Sequence, residues 1–371
     1  MRILLVNYME TTAPGGINKT VMELANGFSK NHDVVVLQSN HYNLPEDQMF
    51  NDFRIIRVKS RFENFLYGLS PELYLFNKKK KLKFNPDIIH IHGYHSLFSF
   101  QTICQMKKNY PKVPIIFSPH YGIFSNSTFA GKHLLGLYNV FLGKKYANYA
   151  DLIIGASKFE SDNLINILKF PKEKIVTIPH GVDKIDLKKS DRNKKNINLL
   201  YVGYLLEIKG VQFIIKVLPE LIHRNVNVCL TIIGEGPFEN ELKKLAIKIG
   251  VNKFIKWRKF ISPIENEKLQ EYYKNSDLLL LLSKSENYGI VVQESLAVGT
   301  PVIVSNRTAL KEFINEPGCF GVEYPPDPET LAAKIIKINN EKIEIGNFSD
   351  KIRIWRDIII EYENLYNLWV K

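Results

Sequence analysis

Short runs of aliphatic and β-branched residues recur along this chain of 371 residues, separated by stretches in which apolar positions return every three or four residues. The short runs read as buried strands, and the longer period is that of amphipathic helices. In the first half the predicted strands are Ile3–Val6, Val34–Leu37, Ile55–Val58, Asp87–Ile91, Ile115–Phe117, Leu152–Ile154 and Ile175–Ile178. Between the first two, Ile17, Val21, Leu24, Ala25 and Phe28 fall at helical spacing. A polar, lysine-rich stretch over 184–196 then reads as a linker. The pattern restarts with strands at Ile197–Val202, Val228–Ile233, Phe254–Trp257, Leu278–Leu282, Pro301–Val304 and Gly321–Tyr324. Near the C-terminus, Ile352, Trp355, Ile358, Ile359, Tyr362, Leu365 and Tyr366 mark a last helix. Strand alternating with helix predicts βαβ units, parallel sheets and the α/β class. The expected division is 1–183, a linker at 184–196, 197–350, and a terminal helix in 351–371 that crosses back to the N-terminal domain. Two doubly wound domains facing each other would form a cleft, with ligands beyond the carboxyl ends of the strands.

The length exceeds one ordinary core, in keeping with two domains. An apolar fraction of 45% with 24% charged residues is that of a globular protein. No uninterrupted apolar run approaches the roughly 18 residues of a membrane span. The run from Met1 to Asn7 is too short for a secretory signal and reads as the first strand. Cys104, Cys229 and Cys319 are widely spaced and odd in number. They point to a reducing, cytoplasmic setting rather than a disulfide frame or thiolate metal site. The net charge of +12 is partly concentrated in Lys78–Lys83. A solvated helix face, a nucleic-acid patch and a contact with anionic lipid all fit such a run. Apolar neighbours (Leu73, Tyr74, Leu75, Phe76, Leu82, Phe84), and a second amphipathic segment from His133 to Lys145 ending in lysines, favour a peripheral membrane surface. Nucleic acid is not an expected partner, because no reader motif accompanies the lysines.

The segment Ser283–Glu294 places two glutamates eight positions apart with Gly289 between them. A strand runs into a polar loop, and the loop into a helix at Gly289, whose first amides favour anions. Glu286 stands where it can accept from hydroxyls, and Glu294 lies about a turn and a half into the helix. Phosphate donors plus two hydroxyl acceptors suit a sugar nucleotide, although acidic residues also decorate ordinary helix starts. Gly15 and Gly16 follow the first strand and open the first helix, allowing close approach of a ligand or simply a turn. Gly203 follows the first strand of the second half, and Lys209-Gly210 precedes the next helix, where an ammonium could meet a diphosphate. Gly234-Glu235-Gly236-Pro237 ends the following strand in a turn able to bed a flat base. His120 ends a buried strand and is placed to bond a sugar hydroxyl. His90 and His92 have H-x-H spacing, but no carboxylate or cysteine cluster joins them and no metal site is expected. Pro179-His180-Gly181-Val182-Asp183 reads as a hinge turn.

Together these motifs resemble the retaining glycosyltransferases of the GT-B fold, the large group of bacterial and archaeal mannosyl-, glucosyl- and galactosyltransferases. The resemblance rests on Pro14-Gly15-Gly16, Asp87–His92, His120, Pro179–Asp183, Val202-Gly203, Lys209-Gly210, Gly234–Pro237, Ser285–Glu294 and Ala297–Ile303, in the family's order over nearly the whole chain. It implies that Lys209 holds the donor diphosphate, with Gly16 close to the phosphates. Glu286 and the amides of Asn287, Tyr288, Gly289, Ile290 and Val291 would hold sugar and phosphates, Glu294 the ribose hydroxyls, and His120 the sugar. It implies transfer of a hexose from a UDP- or GDP-sugar to a glycan or lipid-linked acceptor at the cytoplasmic membrane face. No cofactor or metal is expected for the chemistry. Two departures stand out: Tyr204 occupies a position where the family usually has arginine, and Lys259 one where glycine is common. Rival readings are a non-catalytic nucleotide- or glycan-binding protein of the same fold and a nucleotide-sugar epimerase.

Overall fold

A computed structural model describes the chain apart from residues 12, 14, 41–42, 61–67, 69, 76–83, 123–135, 137, 184–195, 263–264, 342, 344, 346–351 and 371. The whole Lys78–Lys83 cluster, all but the last residue of the predicted linker, Pro14, and the start of the second basic segment therefore lie outside the described residues. The chain divides into two compact units. One comprises Met1–Gly122, Ser127–Gly181 and Ile354–Lys371, and the other is mainly Val182–Arg353.

In the first unit the described strands are β1 (Arg2–Asn7), β2 (Asp33–Asn40), β3 (Asp47–Phe50), β4 (Phe53–Lys59), β5 (Ile88–His92), β6 (Ile115–Ser118), β7 (Leu152–Gly155) and β8 (Ile175–Thr177). They form one sheet in the order β3-β4-β2-β1-β5-β6-β7-β8. All neighbours are parallel except β3 and β4. Strands such as β1 and β5 are buried almost end to end because helices cover both faces. The order reverses between β1 and β5, which makes the carboxyl ends of these two strands the topological switch point of this unit. The sequence pattern does not reveal β3. Its residues alternate between exposed and half-buried, it sits on the sheet edge, and a left-handed Asn51 turns it back onto β4.

The second unit repeats the design with β9 (Ile197–Val202), β10 (Val228–Ile233), β11 (Ile255–Arg258), β12 (Leu278–Leu281), β13 (Val302–Ser305) and β14 (Cys319–Val322). The sheet order is β11-β10-β9-β12-β13-β14, all parallel. Its switch point lies between β9 and β12. β14 begins two residues before the predicted strand.

The C-terminal helix, Trp355–Asn367, packs within the first unit against the helix Gly16–Phe28. Ile358, Tyr362 and Tyr366 join Phe28, Leu24 and the β1–β2 residues Ile3, Leu5, Val34 and Val36 in one core. Each wholly buried apolar side chain of this kind contributes about 2 kcal/mol. The helices approach closely because Gly27 has no side chain: a Cβ there would lie 1.9 Å from Ile359 Cδ1. Replacing Gly27 by leucine is expected to push the C-terminal helix off its seat and cost about 1–3 kcal/mol or more. A lowered urea midpoint would register this, and an unchanged midpoint would contradict the packing described.

Candidate functional site

In the second unit, the loops that follow β9 and β12 are locked together by backbone contacts. Gly210 adopts φ +75°, and a Cβ on it would meet the Leu282 carbonyl oxygen at 1.9 Å. Only glycine satisfies both constraints. The Lys284 amide donates to the Ile208 carbonyl at 2.7 Å, fastening the two loops again. This brings Lys209 and Glu286, 77 positions apart, into an ion pair of 2.7 Å between Nζ and Oε1. The Ser283 hydroxyl donates to the same carboxylate oxygen at 2.9 Å. The Lys209 and Glu286 side chains retain 22% and 16% of their exposure, so the pair is shielded yet reachable. An ammonium has three donor hydrogens, and Glu286 takes one.

Glu286 is held from behind as well. Its amide donates to the Thr308 hydroxyl at 3.0 Å, and Thr308 itself adopts φ +52°. A non-glycine residue in that region costs of order 1–3 kcal/mol, and such strain gathers at sites where position matters. Gly289, at φ +120°, forms the N-cap of the helix Ile290–Ala297 with no side-chain cap. The amides of Ile290 and Val291 belong to the first turn, whose N–H groups have no acceptor within the helix. Tyr288 turns inward, edge-on to Phe313. Glu294 is buried, and its Oε2 accepts a hydrogen bond of 2.7 Å from the Tyr273 hydroxyl, which burial and this carboxylate hold far above its ordinary pKa. Gly203 and Gly234 lie back to back, since a Cβ on Gly234 would touch the Gly203 carbonyl oxygen at 1.9 Å. Tyr204 is 48% exposed and brings no charge to the position. A hollow of about 940 Å³ along β14 contains none of the predicted site residues.

In the first unit, Gly15 (φ +129°) and Gly16 start the helix Gly16–Phe28. The buried Asn18 braces the preceding loop, donating to the Thr11 and Ala13 carbonyls and accepting from Asn7. His120 follows β6 with φ +49°, a strained setting for an imidazole. Its neighbours are fixed by hydrogen bonds from the Gly93 and Tyr94 amides to the Ser118 and Pro119 carbonyls. The Glu160 carboxylate accepts from the Tyr121 amide at 2.5 Å and from the Ala156 amide at 2.7 Å.

Sequence reasoning missed the setting of His120. It is one of four imidazoles in a row, with ring centroids 4.1 Å apart for His90 and His92, 5.3 Å for His92 and His120, and 5.7 Å for His120 and His180. Tyr362 flanks His90 and Trp355 flanks His180. His180, read as part of a hinge turn, is instead buried, with Nδ1 3.1 Å from the Thr20 hydroxyl. His90 and His92 point the same way from β5 by strand alternation, so H-x-H spacing was the available signal. Their ring nitrogens meet Tyr366, Ser118 and His120. Tyr273 and Thr308, the partners of the two glutamates, had no signal in the sequence.

Burial holds these four rings uncharged, and with them His95, which stacks on Tyr121: His90 lies at about 3, His95 and His120 at about 4, and His92 and His180 well below the usual 6.5. Unfolded, each imidazole would take a proton near 6.5; folded, it does not. The stability they contribute is therefore complete above about pH 6.5 and is lost as pH falls toward the folded values, by about 1.4 kcal/mol per pH unit for each ring. Glu160 runs the other way. Burial raises it from 4.5 to about 7, so its folded form gains a proton over part of the same range and offsets about one imidazole. Urea melts of a Trp257→Phe variant, in which Trp355 and Trp369 of the first unit report, should show a steep fall in midpoint between about pH 7 and about pH 5.5. A flat profile would contradict the buried neutral row.

With this geometry in view, two families match the chain in succession. "Glycosyltransferase Family 4" covers residues 14–184 and "Glycosyl transferases group 1" covers residues 182–355. An uncharacterised glycosyltransferase of Methanocaldococcus jannaschii is 26% identical, over 95% of this chain and 94% of that protein. Among solved structures, sucrose-phosphate synthase from Thermosynechococcus elongatus superposes with a TM-score of 0.73 at 18% identity, covering 99% of this chain and 98% of that one. The Anabaena protein HepE, in complex with UDP and glucose, gives 0.72 at 15% identity, covering 98% and 99%. What these structures share with the present chain is the fold.

Proposed function

The chain belongs to the GT-B glycosyltransferases, and on that footing we propose that it moves a hexose from a nucleoside-diphosphate sugar to a glycan or lipid-linked acceptor with retention of anomeric configuration. The observation that carries this reading is the Lys209–Glu286 pair, held at the β9/β12 switch point next to the uncapped helix start at Gly289. There an ammonium and first-turn amides face an anion, while a carboxylate accepts from hydroxyls. In this reading the donor diphosphate lies on Lys209 and on the amides of Ile290 and Val291, with Gly203 and Gly234 near the base. Glu294, steadied by Tyr273, takes the ribose, Gly15 and Gly16 lie near the phosphates, and His120 meets the sugar. The bond between the anomeric carbon and the phosphate oxygen breaks as the acceptor oxygen bonds that carbon on the same face. The acceptor proton passes to the departing diphosphate, whose charge Lys209 stabilises. The solved relative with UDP and glucose supports a UDP-sugar as the first donor to try.

Lys209→Met and Glu286→Gln should each lower transfer by about a hundredfold or more while far-ultraviolet circular dichroism stays unchanged. Release of nucleoside diphosphate from UDP-, GDP- and ADP-sugars, with thermal stabilisation by each, measures this. Normal turnover in both variants would discard the site. Because Tyr204 supplies no cation, binding without turnover is the rival, and its signature would be stabilisation by a nucleotide sugar with no product at any acceptor.

Membrane attachment draws support from a π-helical turn, Asn139–Gly143, which exposes Val140 at 54% and Phe141 at 65% beside the exposed Lys144 and Lys145. No helix among the described residues is long and apolar enough to cross a membrane. The three cysteines are free, which suits the cytoplasmic face. The protein should float with vesicles containing anionic lipid and lose most of that binding as Phe141→Asp; equal flotation of the variant would refute the attachment.

A further inference from the structure

We propose that His92 sets the tautomer of His120, so that His120 meets the transferred sugar as an Nδ1–H hydrogen-bond donor. The part concerning sugar rests on the functional reading above. The pairing of the two imidazoles does not.

Two neutral rings share a fixed number of protons. His92 Nδ1 and His120 Nε2 lie 3.0 Å apart, a hydrogen-bond distance that requires one nitrogen to carry hydrogen and the other a lone pair. Both rings are uncharged at neutral pH, because burial disfavours the imidazolium. Each therefore has one hydrogen, and two arrangements are possible. If His120 donated, the hydrogen of His92 would sit on Nε2. That atom is fully enclosed and has no hydrogen-bond partner among the described residues. A buried N–H without an acceptor is among the rarest features of protein interiors, whereas an underused acceptor is tolerated more often. The hydrogen thus belongs on His92 Nδ1, donated to His120 Nε2, and His120 carries its own hydrogen on Nδ1.

The adjoining ring obeys the same rule. The Thr20 hydroxyl gives its only hydrogen to the Gly16 carbonyl at 2.8 Å, so towards His180 Nδ1 it accepts, and His180 is also an Nδ1–H tautomer. Geometry adds a reason for such control. His120 occupies a left-handed backbone conformation and is clamped on both flanks, by the Pro119 carbonyl that accepts from Tyr94 and by the Glu160 carboxylate that accepts from Tyr121. With its flanks fixed, the ring is oriented by the Nε2 contact with His92, and His92 decides that its Nδ1 carries a hydrogen rather than a lone pair. His92 is then a positioning residue: it is wholly buried and acts through His120.

Long-range 1H–15N correlation spectra of the full chain labelled with 15N-histidine read each tautomer directly. The expected result is an Nδ1–H pattern for His120, with the assignment supplied by His120→Gln. In His92→Phe the His120 pattern should shift to Nε2–H or to an average. In His92→Asn, whose amide N–H takes the place of Nδ1–H, the pattern should return. The kcat for transfer should fall roughly tenfold in His92→Phe, with the donor KM little changed, and recover most of that loss in His92→Asn; removing a whole preorganised donor costs roughly 10²–10³. An Nε2–H pattern for His120 in the natural protein, or a tautomer indifferent to His92→Phe, overturns the pairing. Should the tautomers respond as stated while kcat stays constant in both His92→Phe and His120→Gln, the sugar contact is wrong and the pairing survives. If His92→Phe does not fold, the spectra of the natural protein and of His92→Asn still decide.

Discussion

The close approach of Gly210 to the Leu282 carbonyl is the constraint on which the charged part of this molecule depends. Parallel strands place β9 and β12 side by side but leave their following loops free to diverge. A glycine with φ +75° and no Cβ lets the loops touch, and the amide of Lys284 then ties them. Lys209 and Glu286 are the residues on either side of that junction. Their proximity is thus a consequence of backbone packing, and the ion pair adds orientation to an encounter already imposed. A shielded pair of this kind gives little net stability, since desolvation cancels much of the attraction. Its value lies in keeping an ammonium and a carboxylate ready in one place.

The first unit solves the opposite problem. Four imidazoles and several tyrosine rings are packed together, all but the partly exposed His120 buried, and the surroundings keep every imidazole of the row neutral. Desolvation opposes this arrangement, and hydrogen bonds to Tyr366, Ser118 and Thr20 offset part of its cost. A row of neutral rings has fixed dipoles and no mobile charge, so it can orient a hydrogen bond without attracting counterions.

Much of the fold is legible in the sequence because parallel strands buried on both faces must be largely apolar, which is how β1, β9 and β12 announce themselves. β3 is not, since an edge strand half in water has a polar pattern and owes its conformation to its partner. The motif glycines, Lys209 and Glu286 stand out because a strand end followed directly by a helix leaves little room for a side chain and turns its amides toward an anion. The partners that complete the site carry no such mark. Tyr273 and Thr308 lie 21 and 22 positions from the glutamates they hold, on elements brought near only by the winding of the sheet. His180 is hidden for the same reason: proline and glycine on either side signal a turn, and nothing local says that the residue between them faces inward.

The first unit is not continuous in sequence, and this bears on how the polypeptide is made. Val182–Arg353 forms an uninterrupted stretch with its own sheet, so that unit is synthesised whole before the helix Trp355–Asn367 is made. The earlier-made unit must wait, because Ile358, Tyr362 and Tyr366 close its core and are translated only after the whole of the other unit. The nascent chain therefore carries an open apolar seam while the second unit is being made, and a message cut short before Trp355 would yield a protein whose earlier-made unit is the one left unfinished.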